Sequence, residues 1–210
     1  MAQGRDRGDE ILSAVIYIEG GGDSKYLHMY CRKGFRNLLD KCGFSGRMPR
    51  LVACGGRTNT FEDFKSRLKL SSQDDYIAML IDSEVIVEDT KKTWDHLKRQ
   101  DGWDKPLGAH DEQALLMVTC METWIITDRD ALCSHYGANL QESALPSLIN
   151  METRDRKSVQ EALIHATRNC KNVYTKGKQS FEVLAEIKPE ALRPYLPGFV
   201  RFEMILNEKL

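Results

Sequence analysis

The sequence predicts an α/β fold, a mostly parallel sheet of about four strands flanked by helices. Three observations carry this. Two short apolar runs, Ala14-Val15-Ile16-Tyr17-Ile18 and Ile77-Ala78-Met79-Leu80-Ile81, each stop abruptly at acidic or glycine residues, as buried strands do. Segments with helical spacing of apolar residues alternate with such runs, the order that builds a parallel sheet covered on both faces. The alternation stops after Gly137, beyond which the apolar pattern is helical throughout.

The elements follow in order. Ser13 to Glu19 is the first strand. A helix from about Asp23 to Lys41 carries Leu27, Tyr30, Cys31, Phe35, Leu38 and Leu39 as one stripe, and Gly43-Phe44-Ser45-Gly46 ends it. Pro49 to Cys54 is the second strand, closed by Gly55-Gly56. Thr60 is expected to cap a helix from Phe61 to Leu70, with Phe61, Phe64 and Leu68 inward. Tyr76 to Ile81 is the third strand. Thr90 to Gln100 is a short helix bearing Trp94 and Leu97, and Asp101 to Asp111 a loop. Ala114 to Cys120 reads as the fourth strand. Met121 to Tyr136 reads as one helix, with Gly137 past its end. Ser158 to Asn169, Phe181 to Ile187 and Pro197 to Leu210 are helical, and Asn172 to Thr175 is the one further strand candidate. The division is a tail over 1–12, an α/β domain over 13–137 and a helical extension over 138–210 packed on it. Right-handed crossovers place the strands' carboxyl ends on one edge.

Composition narrows the function. Of the residues, 41% are apolar and 29% charged, ordinary for a globular protein. No apolar stretch is long enough to span a bilayer, and the polar Met1 to Glu10 is neither a signal nor a transit peptide. Six cysteines without a CxxC pair point to a reducing cytoplasm and no structural zinc; Cys54 and Cys120 read as small buried hydrophobes. A net charge of −1 argues against strong non-specific nucleic-acid binding, but not against a local basic track.

The chemistry concentrates at strand ends. Glu19 closes the first apolar run and precedes Gly20-Gly21-Gly22, which strip side chains from beside the carboxylate. Asp82 and Glu84 close the third strand, one residue apart and so on one side of an extended chain. In a parallel sheet, ligands collect at this edge. Three converging carboxylates suit a hard divalent cation. Glu122, at the start of the helix after strand four, is a further ligand candidate, whereas Asp128 and Asp130 read as solvated. His110 and Asp111 fall at the opposite edge, and Trp94, Trp103 and Trp124 read as packing residues. Lys171, Lys176 and Lys178 flank Tyr174 in a basic loop that could hold phosphate or stabilise developing charge. Arg57, following Gly55-Gly56, is a similar candidate. Gly-Gly-Gly-Asp-Ser-Lys lacks the GxxxxGK[ST] spacing of a P-loop.

With Glu19 after strand one, Gly55-Gly56 after strand two and Asp82-Ser83-Glu84 after strand three, the chain resembles the Toprim fold, itself Rossmann-like. Ile18-Glu19-Gly20-Gly21-Gly22, Met121-Glu122-Thr123-Trp124 and Tyr174-Thr175-Lys176-Gly177-Lys178 look most like a prokaryotic Toprim-like family often encoded beside an ABC-type ATPase and similar to phage-defence effectors. The family's DxD is DxE here. The resemblance implies Mg²⁺ or Mn²⁺, a nucleic-acid substrate (DNA or RNA), an ABC-type ATPase partner and a metal-dependent nuclease of the antiviral-defence or toxin type. In that role Glu19, Asp82 and Glu84 hold metal with Glu122 added, Lys176 and Lys178 neutralise charge, and Gly20, Gly21, Gly22, Gly55, Gly56, Arg57 and Lys171 meet substrate. The alternative is a Toprim-derived subunit that binds an ATPase and nucleic acid without cutting. Self-association stays open.

Overall fold

A computed structural model describes residues 13–70 and 75–210; the tail expected over 1–12 lies outside them. Four strands, β1 (Ala14–Gly21), β2 (Arg50–Gly55), β3 (Tyr76–Asp82) and β4 (Ala114–Met117), form one sheet in the order β2-β1-β3-β4, every pair parallel. All seven residues of β3 are buried, the mark of a strand covered on both faces. Side chains alternate along the strands. Ile16, Ile18, Ala78, Leu80, Leu115 and Met117 point into one core, and Val15, Ile77, Met79, Ile81 and Leu116 into the other.

The helices divide accordingly. α1 (Lys25–Leu39) carries β1 to β2 across the first face. α2 (Arg57–Leu68) carries β2 back past β1 to β3 across the second, and α3 (Thr93–Asp101) also lies there. Because the two crossovers run in opposite directions, right-handedness puts their helices on opposite faces. The connections therefore diverge between β1 and β3, the switch point where ligands bind in open α/β sheets.

The remaining helices are α4 (Met121–Thr127), α5 (Arg129–Tyr136), α6 (Arg156–Thr167), α7 (Lys178–Glu186), α8 (Pro189–Leu192) and α9 (Pro197–Lys209). They fill the first face: Leu163, Phe181, Leu184, Phe199 and Leu206 share a core with Ile16, Phe35 and Trp124. Gly34 of α1 allows the closest approach, because a Cβ there would come within 2.7 Å of the Phe181 carbonyl oxygen.

Several expected boundaries move. The helix expected over 121–136 breaks at Asp128, whose carboxylate accepts the Ala131 amide to cap α5. Its other oxygen accepts the Lys188 amide, so Asp128 is buried at 1% exposure, not solvated. α2 starts at Arg57, not Phe61. Thr60 lies inside it and its hydroxyl donates to the Gly56 carbonyl. β4 ends at Met117, so Cys120 is the residue preceding α4. Residues 172–175 form no strand; the Tyr174 amide donates to the Thr167 hydroxyl. The six cysteines are unpaired. Among the described residues, no helix is long and apolar enough to cross a membrane.

Candidate functional site

The site forms where β1 and β3 end. Glu19 is near the end of β1, and Asp82 is the last residue of β3. The chain stays paired to the β4 side for two more residues, through Ser83 amide to Met117 carbonyl and Glu84 amide to Thr119 carbonyl, both 2.9 Å. It then turns at Glu84, whose φ is +68°. An acidic residue in the left-handed region is strained, and such strain gathers at functional sites. The turn brings its carboxylate back to the others. One ligand oxygen from each of Glu19, Asp82 and Glu84 lies within 4.8 Å of the others.

Each carboxylate has a basic neighbour. Arg57 Nη1 lies 3.4 Å from Glu19, Lys176 Nζ 3.4 Å from Asp82, and Arg156 pairs with Glu84. Asp82 is the most enclosed, at 2% exposure. Its Oδ1 accepts the Met121 amide at 2.8 Å. Burial first, then the charges of Glu19 and Glu122, push its carboxyl up to about 6 against the pull of Lys176 and Arg156. Glu19 in turn accepts the Asp82 amide at 3.2 Å.

Arg57 is locked from behind. Its Nε and Nη2 fork onto the Asp101 carboxylate at 2.7 and 2.8 Å, its guanidinium stacks over Trp103, and Nη1 also donates to the Asp82 carbonyl. Lys176 is unlike it, its side chain half exposed and its Nζ directed to Asp82 Oδ2.

The glycines shape the mouth. Gly20 and Gly21 both pair with Gly55, a bulge at the end of β1. A Cβ on Gly21 would meet the His28 ring and backbone, and one on Gly55 would meet the Gly22 carbonyl. Close backbone packing thus accounts for both. Gly22 faces open space, and its carbonyl is held by His28 Nε2 at 2.6 Å. Gly20, Gly21, Gly22, Gly55, Glu19, Asp82 and Lys176 line a cavity of about 300 Å³.

Other expected residues lie elsewhere. Glu122 is fully buried but outside the carboxylate group; its oxygens accept from Tyr174 Oη at 2.9 Å and Gln160 Nε2 at 3.3 Å. It acts on the site through its charge. Lys178 points away, over the Tyr30 ring and toward Glu182 at 3.5 Å. Lys171 is exposed in a bend, and Gly56 is the exposed residue preceding α2. His110 and Asp111 are structural: Asp111 accepts from the Thr93 hydroxyl and the Trp94 amide. Sequence reasoning missed Arg156, Asp101 and Tyr174. Tyr174 stood in a segment already singled out, but its pairing with Glu122, 52 positions earlier, had no sequence signal, and Arg156 and Asp101 carried none either.

The arrangement fits a divalent cation. It offers three hard oxygen ligands, two of them from residues that line a partly enclosed cavity, and an acid that burial first and then like-charged neighbours keep hard to ionise. No curated protein and no solved structure matches the chain. Residues 18–207, which include every residue of the site, match one family, and the chain belongs to it: the domain of unknown function DUF4276.

Proposed function

We propose that this chain is a Toprim-like, divalent-metal-dependent nuclease that hydrolyses nucleic-acid phosphodiesters. The observation that carries the reading is the convergence of Glu19, Asp82 and Glu84 within 4.8 Å at the switch point of a parallel sheet. Those three residues would hold Mg²⁺ or Mn²⁺, which supplies Lewis-acid stabilisation of charge on the phosphoryl oxygens. Asp82, fixed by the Met121 amide, sets the position of the group. Glu19, which lines the cavity with Asp82, would also help activate the attacking water. Arg57, locked by Asp101, orients Glu19. Lys176, whose side chain is half exposed, would leave Asp82 to pair with a substrate phosphate and stabilise the oxyanion as the P–O bond breaks. The resemblance supports an antiviral-defence or toxin role beside a partner ATPase. Six unpaired thiols suit the cytoplasm.

The test is turnover of labelled DNA and RNA with Mn²⁺, beside Glu19→Gln. Manganese-dependent cleavage that the variant loses is the expected result. Cleavage surviving in the variant would sink the assignment.

A second reading has its own observation. All three carboxylates already face a basic side chain, so each has a cation beside it without metal. This favours a subunit that binds an ATPase or nucleic acid without cutting. No Mn²⁺ binding and no turnover in the wild-type protein would select it.

A further inference from the structure

α1 begins at the mouth of the cavity, which Leu27 lines. On its solvent side Tyr26, Met29, Tyr30 and Lys33 follow the i, i+3, i+4, i+7 spacing of one helical stripe. Core packing does not account for Tyr26 and Met29, 52% and 48% exposed, while Tyr30 is partly buried and packs against the first core. The two tyrosine rings lie 4.8 Å apart at 61°, joined through their hydroxyls at 3.2 Å. Lys178 Nζ sits 5.2 Å from the Tyr30 ring centre. The surroundings are cationic. α1 carries Lys25, Arg32, Lys33 and Arg36 and no acidic residue, and Glu182 is the carboxylate that meets Lys178.

An exposed tyrosine ring beside a partly exposed one, among amines, is a combination that stacks nucleobases while phosphates pair with the cations. A fully paired duplex hides its base faces, so such a surface selects unpaired nucleotides. The platform is also tied to the site. Lys176 reaches Asp82, and Lys178, two residues on, reaches Tyr30. Two residues span at most about 7 Å of chain, so one loop serves both places.

We propose that Tyr26 and Tyr30, with Lys178, stack the bases of a single-stranded nucleic-acid segment that enters the carboxylate site. This rests on the nuclease reading for what happens at the site, but the binding itself needs no metal. A labelled single-stranded 12-mer and the matching duplex, titrated at low salt in EDTA and followed by fluorescence anisotropy, test it. Wild-type protein should bind the single strand more tightly. The double variant Tyr26→Ala, Tyr30→Ala should bind it about tenfold or more weakly, and Tyr26→Phe, Tyr30→Phe should bind as wild type. Melting curves confirm that each variant is folded. Unchanged single-strand affinity in the folded alanine variant, equal affinity for duplex, or a stripe that captures a protein partner and no oligonucleotide would overturn the proposal. Tyrosine-dependent binding without Mn²⁺-dependent cleavage would uphold the platform and remove the nuclease reading. Cleavage and binding indifferent to both tyrosines would do the reverse.

Discussion

Asp82 and Asp128 are buried to the same degree, at 2% and 1% exposure, yet they are held in opposite ways. Asp128, between α4 and α5, gives each oxygen to a backbone amide, Ala131 at 3.0 Å and Lys188 at 2.8 Å. Its charge is consumed in joining two helices to a third segment. Asp82, at the end of β3, gives one oxygen to the Met121 amide and turns the other toward Lys176 in the company of Glu19 and Glu84. Burial alone therefore does not mark a functional acid. What marks it is a carboxylate oxygen left facing a half-exposed cation and other carboxylates, with no backbone donor on it among the described residues.

The sharpest way to break this contrast is Asp82→Asn. The amide oxygen can still accept from Met121, so the fold should persist while the ligand charge disappears. Mn²⁺ affinity measured by calorimetry should fall on the order of 100-fold or more. The metal-free melting temperature should hold or rise, because a repelled buried charge has gone. Unaltered affinity would make Asp82 as structural as Asp128.

Asp128→Ala should do the converse. It removes a helix cap and strands two amides, which together cost about 2–3 kcal/mol. Urea denaturation should show that loss with Mn²⁺ affinity unchanged; a stability within 0.5 kcal/mol, the scale of a plain surface substitution at roughly that size, would contradict it.

Glu152 provides an intermediate case. Both of its oxygens accept the Gly198 amide, at 2.9 and 3.0 Å, at the start of α9. Burial lifts its carboxyl to about 7 against the pull of the Gly198 and Phe199 amides. Its folded pKa thus exceeds the unfolded value. The stability it contributes is complete below about pH 4.5, the ordinary glutamate range, and is lost as pH rises through 7. Glu152→Gln should flatten stability between those limits by about 1–2 kcal/mol. Parallel pH profiles for the two proteins would discount the shift.

The smallest effect belongs to Lys176→Gln. Its ammonium competes with metal for Asp82, so Mn²⁺ affinity should rise about three- to tenfold, within the range of a partly exposed ion pair. Nucleic-acid affinity should fall at the same time. A weakened Mn²⁺ affinity would show that Lys176 supports the carboxylates and does not occupy them.

Much of this was legible in the residues. Strand ends are local events, and Ile18-Glu19-Gly20 and Ile81-Asp82-Ser83 announce theirs by an abrupt change of residue type. Glu19, Asp82 and Glu84 could therefore be placed together from the parallel order alone. The break at Asp128 was also written in, as a cap residue within an apolar helix, but the apolar spacing on either side masked it. Arg156 could not be read, because its partner Glu84 lies 72 positions earlier and only the docking of α6 unites them. Lys176 and Lys178 illustrate the same limit: one basic loop, two neighbouring lysines, two directions set by α1 and α7.

The spacing of the site along the chain sets an order of assembly. Glu19, Glu84 and Asp82 are made first, with Arg57 beside them. Arg156 comes 72 residues after Glu84, and Lys176 comes 94 after Asp82. The stretch of chain through α5 carries three acids and one of their three cations; the other two arrive with α6 and the turn into α7. The finished chain is the first to hold both halves of the charge pattern.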